Sequence, residues 1–230
     1  MNYLNIVEGK FIKRINRFIA EVKINGNIEQ VHVKNTGRCK ELFIKGRTVY
    51  LQKSNNPNRK TNYSLISIYK NNKLINIDSQ APNEVVYEGI MSGLIEEFCD
   101  IKILTREKQY KNSRFDMYYK KADGREGFIE VKGVTLEEDG KTLFPDAPTE
   151  RGRKHVYEMI DAVKNGYEGT IFFLIQLKEA YEFNTNYNTD IKFAQALEEA
   201  KNNGVQILVY TSEVSMETIS IGDKIKTDCN

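Results

Sequence analysis

Short runs of alternating apolar and polar residues occupy the first third of the chain and predict strands. The run Phe11–Ile24 mixes apolar and basic residues and ends at Asn25-Gly26, a hairpin signal. Four further runs follow at Ile28–Val33, Arg47–Gln52, Tyr63–Ile68 and Leu74–Ile77. Five short strands with little helix predict a small closed barrel over residues 1–80, for which the OB-fold is the common five-stranded case and an SH3-like barrel the alternative.

After Asp78–Pro82 the apolar residues change to helical spacing. They predict one helix that continues through Val85, Val86, Ile90, Met91, Leu94, Ile95 and Phe98. A polar segment comes next, and then strands and helices at 114–119 (strand), 127–131 (strand), 149–165 (helix), 170–177 (strand), 191–202 (helix) and 205–210 (strand). This order predicts an α/β domain with a mixed sheet over residues 81–230. The stretch 212–230 is predicted only as a small β-rich or frayed terminus.

The balance of basic and acidic residues also changes near residue 80. Residues 1–80 hold 15 Lys and Arg against 5 Asp and Glu, whereas the remainder holds 19 against 27. A basic first third indicates a module that binds polyanions, and a solvated basic surface without a partner is the alternative. No stretch approaches the roughly 18 apolar residues of a membrane helix, so no membrane partner is expected.

Cysteine and histidine usage limits the redox compartment and the choice of metal. The three cysteines are far apart and form no CxxC pair, and the first residues lack a signal-peptide pattern, which together predict a cytoplasmic protein with reduced thiols. With only two histidines, a zinc site is not expected. A catalytic metal would therefore be a hard, oxygen-ligated cation.

Three charged residues interrupt otherwise apolar strands after residue 113. Asp116 lies in one predicted strand and Glu130-Val131-Lys132 in the next, so an antiparallel pair would bring the two carboxylates side by side. Adjacent carboxylates repel each other unless a divalent cation lies between them, and Lys132 could orient a water there. The pattern predicts a Mg²⁺- or Mn²⁺-dependent phosphodiester-hydrolysing site, with an ion-paired hairpin as the alternative. A second acid-x-Lys triplet, Glu21-Val22-Lys23, has no such strand-borne Asp nearby.

Other residues could extend this site. Glu88 lies at the edge of the apolar stripe of the predicted helix, where it could reach a second metal or, alternatively, only cap its own helix. Arg151, Lys154 and His155 share the start of the helix at 149–165 and could bind a phosphate, although a lone His is usually a packed structural residue. The barrel offers a basic track for nucleic acid, made of Lys13, Arg14, Arg17, Asn35, Thr36, Arg38, Arg59 and Lys60.

Several motifs, in order through nearly the whole chain, resemble the sugar fermentation stimulation protein A (SfsA) family. They are Asn35-Thr36-Gly37-Arg38, Pro82-Asn83 with Glu88, Ser113–Asp116, Glu130-Val131-Lys132 and Phe144–Gly152 followed by His155. The resemblance implies an N-terminal OB-fold, a C-terminal domain similar to PD-(D/E)XK nucleases, DNA binding and a regulatory influence on sugar metabolism. It also implies metal ligation by Asp116 and Glu130, a water-positioning Lys132 and an acidic role for Glu88. Arg114 stands where the plainest nuclease motif has Pro.

The function expected from these observations is a DNA-binding, metal-dependent nuclease. A DNA-binding regulatory protein on a nuclease scaffold that does not cut is the first alternative. An RNA-binding or RNA-processing protein is the second, because an OB-like barrel does not by itself distinguish DNA from RNA.

Overall fold

The computed structural model describes residues 1–35, 37–225 and 227 of the chain. Its first part is a barrel built from six strands, β1 to β6, with the bounds Ile6–Arg14, Ile19–Ile24, Asn27–Val33, Thr48–Lys53, Tyr63–Lys70 and Lys73–Asn76. The strand order is β3-β2-β1-β4-β5-β6, and a parallel pairing of β3 with β5 closes the first five strands on themselves. The predicted five-stranded OB-like barrel is therefore confirmed.

Two strand assignments in the barrel differ from the prediction. The single run predicted at Phe11–Ile24 is two antiparallel strands, because the chain turns between Arg14 and Ile19. The last predicted run instead forms β6, which extends the barrel sheet as a hairpin with β5 and does not take part in closure. Alternation alone does not separate these cases, since both sides of a tight turn can keep the same period.

The second part is an α/β unit around a six-stranded mixed sheet. Its helices are α1 Ala81–Met91, α2 Glu150–Lys164 and α3 Ile191–Asn202, with a short 3-10 helix at Glu96–Phe98. Strands β7 to β15 span Ile101–Tyr110, Ser113–Lys121, Glu126–Val134, Leu136–Glu138, Lys141–Phe144, Glu168–Ile175, Glu182–Thr185, Gln206–Val214 and Ile219–Lys224. The large sheet has the order β15-β14-β12-β9-β8-β7, with β12 parallel to β9 and β14, and β10, β11 and β13 form a small second sheet. The predicted mixed sheet is confirmed.

The first helix ends earlier than predicted. It stops at Met91, and Gly93 adopts a left-handed backbone with φ +69°. Met91 and Leu94 are 62% and 61% exposed, whereas Ile95 and Phe98 are buried. The helical spacing of apolar residues therefore continues beyond the end of the helix. The helix ends because Gly93 can adopt a left-handed backbone that other residues rarely take.

The polar segment predicted before residue 114 is strand β7, at the edge of the sheet. Most of its side chains are exposed, because only β8 flanks it. An edge strand with two solvated faces carries no alternating pattern to reveal it. At the other end of the chain, the predicted β-rich terminus contains the end of β14 and all of β15.

Apolar cores cover both faces of the large sheet. One core joins Phe115, Phe128 and Phe173 to α2 and α3, and it is continuous with the barrel interior. The other core joins Met117, Ile129 and Phe172 to α1. Because α1 and α2 lie against opposite faces, side chains from both helices reach β8 and β9. No helix within the described residues is long and apolar enough to cross a membrane.

Buried polar contacts lock the barrel against the α/β unit. Glu137, only 2% exposed, accepts from Lys70 at 2.9 Å and also pairs with Lys73, both from the β5–β6 hairpin. Asp78 is fully buried between the two parts and pairs with Lys34 at 3.0 Å. Gln176 donates to the Asp78 carbonyl at 3.1 Å. These contacts hold the barrel loops in place relative to β9 and α2.

Candidate functional site

Asp116 and Glu130 lie side by side on neighbouring strands. Met117 of β8 pairs with Ile129 of β9, so the antiparallel register brings the two acids together at the next position. The Val131 backbone N–H donates to Asp116 Oδ2 at 2.8 Å, which anchors one carboxylate to the strand of the other. The structure thus brings together the two residues that the strand pattern singled out.

Glu130 is a nearly buried carboxylate with one oxygen tied down and the other without a partner. Its side chain accepts through Oε1 from Lys132 Nζ at 2.5 Å and contacts His155 Nδ1 through the same oxygen. Oε2 is buried and has no hydrogen-bond partner. Buried carboxylate oxygens are rarely left unpaired, so Oε2 is free to accept a water or to ligate a cation.

The pKa values of the two carboxyl groups are shifted in opposite directions. Burial, and next the charge of Glu130, raise the pKa of Asp116 above its ordinary value. Burial alone would also raise the pKa of Glu130, but the hydrogen bond from His155 and the charge of Lys132 outweigh it and hold that pKa below its ordinary value. Glu130 is therefore the stably ionised member of the pair, with His155 and Lys132 as the groups that stabilise its charge.

The side chain of α1 that touches the carboxylate pair is Asn83. Its Nδ2 donates to Asp116 Oδ1 at 2.8 Å from the first turn of the helix. Asn83 was not predicted as a site residue, although it belongs to the Pro82-Asn83 motif at the start of the helix. Glu88, predicted as the helix acid of the site, is instead ion-paired with the Met1 amino group. The contacts of Glu88 give its predicted metal role no support, because its position five residues after Asn83 turns it toward another part of the molecule.

An open cleft of about 370 Å³ lies against Asp116. It is lined by Asn83, Arg106, Glu107, Asp116 and Met117. Arg106 forms two hydrogen bonds with Glu84, at 2.6 and 2.9 Å, and Glu107 pairs with Arg114 at 3.3 Å. Asp116 is therefore the member of the carboxylate pair that lines an open cleft.

The predicted phosphate-binding group on α2 is divided by the structure. Thr149 caps the helix by accepting from the Gly152 N–H at 3.0 Å. His155 is only 8% exposed and points to Glu130, whereas Arg151 and Lys154 are exposed. His155 belongs to the carboxylate site, and only Arg151 and Lys154 present charge to solvent.

In the barrel, Arg14 organises the loop that was predicted to bind nucleic acid. Its guanidinium donates to the carbonyls of Arg17, Asn35, Gly37 and Arg38 at 2.7 to 2.9 Å. Asn35 is also internal, because it donates to the Ile77 carbonyl and accepts from the Gly37 N–H. Arg14 and Asn35 thus shape the loop and do not present free donors. Thr36 lies outside the described residues.

The other predicted barrel residues lie at the surface. Arg17, Arg38 and Lys60 are exposed. Lys13 pairs with Glu21 at 3.3 Å, and Arg59 donates to Ser64 at 3.0 Å. Of three aromatic residues in the barrel, Phe18 is half exposed and could stack on a base, while Phe11 and Tyr50 are buried.

The Arg14 contacts lead to a testable expectation for stability. Arg14→Lys keeps the charge but loses the planar fork that reaches four carbonyls, so the loop should loosen and the free energy of unfolding should fall by about 1–2 kcal/mol. Chemical unfolding measures this, with the exposed Arg17→Lys as the matched control. Equal stability of the two variants would contradict the assigned role of Arg14.

The same loop packs against the segment that leads into α2. A Cβ atom on Gly37 would lie 2.8 Å from both Asp146 Oδ2 and Asn35 Oδ1, so a larger residue there would displace these side chains. The thiol of Cys39 lies 3.9 Å from Thr135 Oγ1, just after β9. The exposed barrel residue Arg38 is therefore held next to the segment that positions His155.

The donor set suits a divalent cation. Asp116 and Glu130 supply carboxylate oxygens, which hard cations such as Mg²⁺, Mn²⁺ and Ca²⁺ prefer. The unpartnered Glu130 Oε2 is the oxygen that such a cation would take as a ligand. The residues present fit such an ion.

Fold and site together define a protein class: an OB barrel followed by an α/β domain with a mixed sheet and a paired-carboxylate site. The family description "SfsA N-terminal OB domain" matches residues 12–77, and "Sugar fermentation stimulation protein RE domain" matches residues 80–218. The chain belongs to the sugar fermentation stimulation protein family, as its motifs indicated.

Relatives match over the full length. Proteins described as sugar fermentation stimulation protein homologs, from Alkaliphilus oremlandii and Clostridium beijerinckii, are each 50% identical to this chain. The matches cover 99% of both chains in the first case and 98% of both in the second. The solved structure of Pyrococcus furiosus SfsA in complex with Ca²⁺ is 30% identical and superposes with a TM-score of 0.90, covering 99% of this chain and 98% of that one.

Proposed function

We propose that the protein is a DNA-binding nuclease that hydrolyses phosphodiester bonds with Mg²⁺ or Mn²⁺. The observation that carries this proposal is the buried, unpartnered Oε2 of Glu130 beside Asp116, with Lys132 on the other oxygen of the same carboxylate. Two adjacent carboxylates and an ammonium group, with Asp116 at the edge of an open cleft, are the groups that phosphodiester hydrolysis needs.

The relatives support a hard cation in this family. The Pyrococcus furiosus protein was solved in complex with Ca²⁺, an ion that takes oxygen ligands. In this chain Asp116 and Glu130 would hold the cation. When bound, the cation would stabilise the charge that develops on the phosphate and make a water molecule more acidic.

The chain's own residues would then position the reactants. In hydrolysis a water oxygen forms a bond to phosphorus, the bond to the leaving oxygen breaks, and the water proton ends on that oxygen. Lys132, held by Glu130, would donate to the attacking water or to a phosphate oxygen. His155 would keep Glu130 ionised and fix its orientation from the buried side.

The barrel and α2 would supply the nucleic-acid surface. Exposed cations on both, Arg17, Arg38, Lys60, Arg151 and Lys154, would neutralise backbone phosphates. Arg38→Ala or Lys60→Ala should each reduce the slope of log K against log salt by about one, whatever the sequence bound. Fluorescence anisotropy over a salt series measures this, and an unchanged slope in both variants would remove the barrel from the interface.

Cleavage of labelled single- and double-stranded DNA and RNA tests the function. Wild type is compared with Asp116→Asn in Mg²⁺, in Mn²⁺ and in EDTA. We expect cutting that needs the metal and is lost in Asp116→Asn, with DNA as the preferred substrate. Salt-sensitive DNA binding without cutting in either metal would favour the non-cutting regulatory protein, and preferential cutting or binding of RNA would favour RNA processing.

A further inference from the structure

We propose that Asn83 limits this site to one divalent cation, because it holds Asp116 through a neutral amide at the position from which α1 could have supplied a third carboxylate. The inference rests on the proposed function, since it takes Asp116 and Glu130 as the cation ligands. It adds the number of ions and the residue that sets it.

The charge balance of the site favours a single cation. Two divalent cations would bring four positive charges to a partly buried site that holds two carboxylates and the ammonium group of Lys132. At short range in a low-dielectric site such an excess of positive charge is costly, and one diester phosphate offsets little of it. A single cation leaves a site close to neutral once the substrate is bound.

The nearby acids are the second argument, because each has another partner. Glu88 pairs with the Met1 amino group and Glu84 with Arg106. Glu107 shares the cleft with Asp116 but is largely exposed and pairs with Arg114. In the described part of the chain, no group of three or more His, Cys, Asp or Glu side chains is placed to hold a metal ion. A second cation therefore finds no carboxylate of its own.

The position of Asn83 is the third argument. It is the third residue of α1, and its Nδ2 lies 2.8 Å from Asp116 Oδ1. Asp116 is thereby held on both oxygens by uncharged donors, Asn83 and the Val131 N–H, which orient it without competing for its charge. An acidic residue is favoured in the first turn of a helix, so Asn83→Asp is expected to keep α1 folded.

Calorimetric titration of the full chain with Mn²⁺, without nucleic acid, tests the inference. We expect one Mn²⁺ per wild-type chain. Asn83→Asp should bind a second Mn²⁺, because it adds a carboxylate beside Asp116. Asn83→Ala should weaken binding by about 10- to 100-fold, since Asp116 loses its orienting donor. Glu107→Gln, in the same cleft, is the matched control and should keep both stoichiometry and affinity.

Thermal unfolding provides a second readout that does not depend on activity. Without metal, Asn83→Asp should unfold at a lower temperature than wild type because three carboxylates then repel one another, and it should gain more from added Mn²⁺. Two Mn²⁺ ions in wild type, both lost in Asp116→Asn, would overturn the inference. So would an Asn83→Asp variant that still binds a single Mn²⁺.

These outcomes are separable from failure of the proposed function. If wild type binds no Mn²⁺, or if binding survives both Asp116→Asn and Glu130→Gln, the proposed cation site fails and this inference fails with it. A second result is that wild type binds one Mn²⁺ that is lost in Asp116→Asn, while Asn83→Asp binds two and neither protein cuts nucleic acid. That result would sustain the inference and contradict the nuclease. Metal-dependent cutting of nucleic acid by wild type, together with an Asn83→Asp variant that still binds one Mn²⁺, would support the nuclease and contradict the inference about Asn83.

Discussion

Replacing Glu130 with glutamine is expected to lower metal-dependent phosphodiester cleavage by about 10³-fold or more while nucleic-acid binding is retained. The substitution keeps the shape of the side chain and removes the negative charge that faces Lys132 and His155. It also puts a neutral amide where Oε2 would meet a cation. Single-turnover cleavage in Mg²⁺ and Mn²⁺, with anisotropy binding in parallel, measures both parts.

Lys132→Ala should lose cleavage to a similar extent, because its ammonium group donates to Glu130 and supplies the positive charge of the site. The barrel provides matched controls in Glu21→Gln and Lys23→Ala, which alter the same acid-x-Lys pattern on β2. Those controls should cut like wild type. Cleavage above about a tenth of wild type in both Glu130→Gln and Lys132→Ala would refute the assigned site.

The second large effect is expected on stability, at the contact between the barrel and the α/β unit. Glu137→Gln should reduce the free energy of unfolding by about 3 kcal/mol at neutral pH, because it leaves Lys70 and Lys73 facing a neutral group in a buried setting. For a chain of this size, that loss lowers the melting temperature by roughly 6–12 °C. The neighbouring Glu138 is exposed, so Glu138→Gln is the control and should be neutral.

The effect of Glu137 should also depend on pH. Burial would raise the pKa of Glu137, but hydrogen bonds from Lys73, Lys70 and the Gly140 N–H outweigh it and lower the pKa to about 2. A carboxyl group whose pKa is depressed on folding stabilises the protein above its unfolded pKa of about 4.3, and that contribution is lost as the pH falls toward 2.

Urea unfolding between pH 7 and pH 3 measures this dependence. The stability difference between wild type and Glu137→Gln should be constant above about pH 5 and shrink steadily below pH 4. Glutamine does not titrate, so the change in the difference isolates the carboxyl group. A difference that stays the same from pH 7 to pH 3 would show that Glu137 does not carry the predicted charge interaction.

Part of the site was predictable because it lies on two adjacent strands. Period-two alternation places Glu130 and Lys132 on one side of β9, and a short turn places Asp116 beside them. Helical periodicity was a poorer guide for α1. It extended the helix beyond Met91, and it singled out Glu88 but gave no role to Asn83. An angular projection gives the apolar face of a helix but not the partner that each polar side chain meets.

Local pattern along the chain was enough to predict the barrel, the mixed sheet, the carboxylate pair with its lysine, and the family. Each depends on residues that are close in sequence or on motifs in a fixed order. Only the tertiary structure showed that His155 contacts Glu130 and that Asn83 donates to Asp116. It also showed that Arg14 donates to loop carbonyls and that Glu88 pairs with the Met1 amino group. The physical reason is that burial and hydrogen-bond partnership arise between segments far apart in the chain, and no local period carries that information.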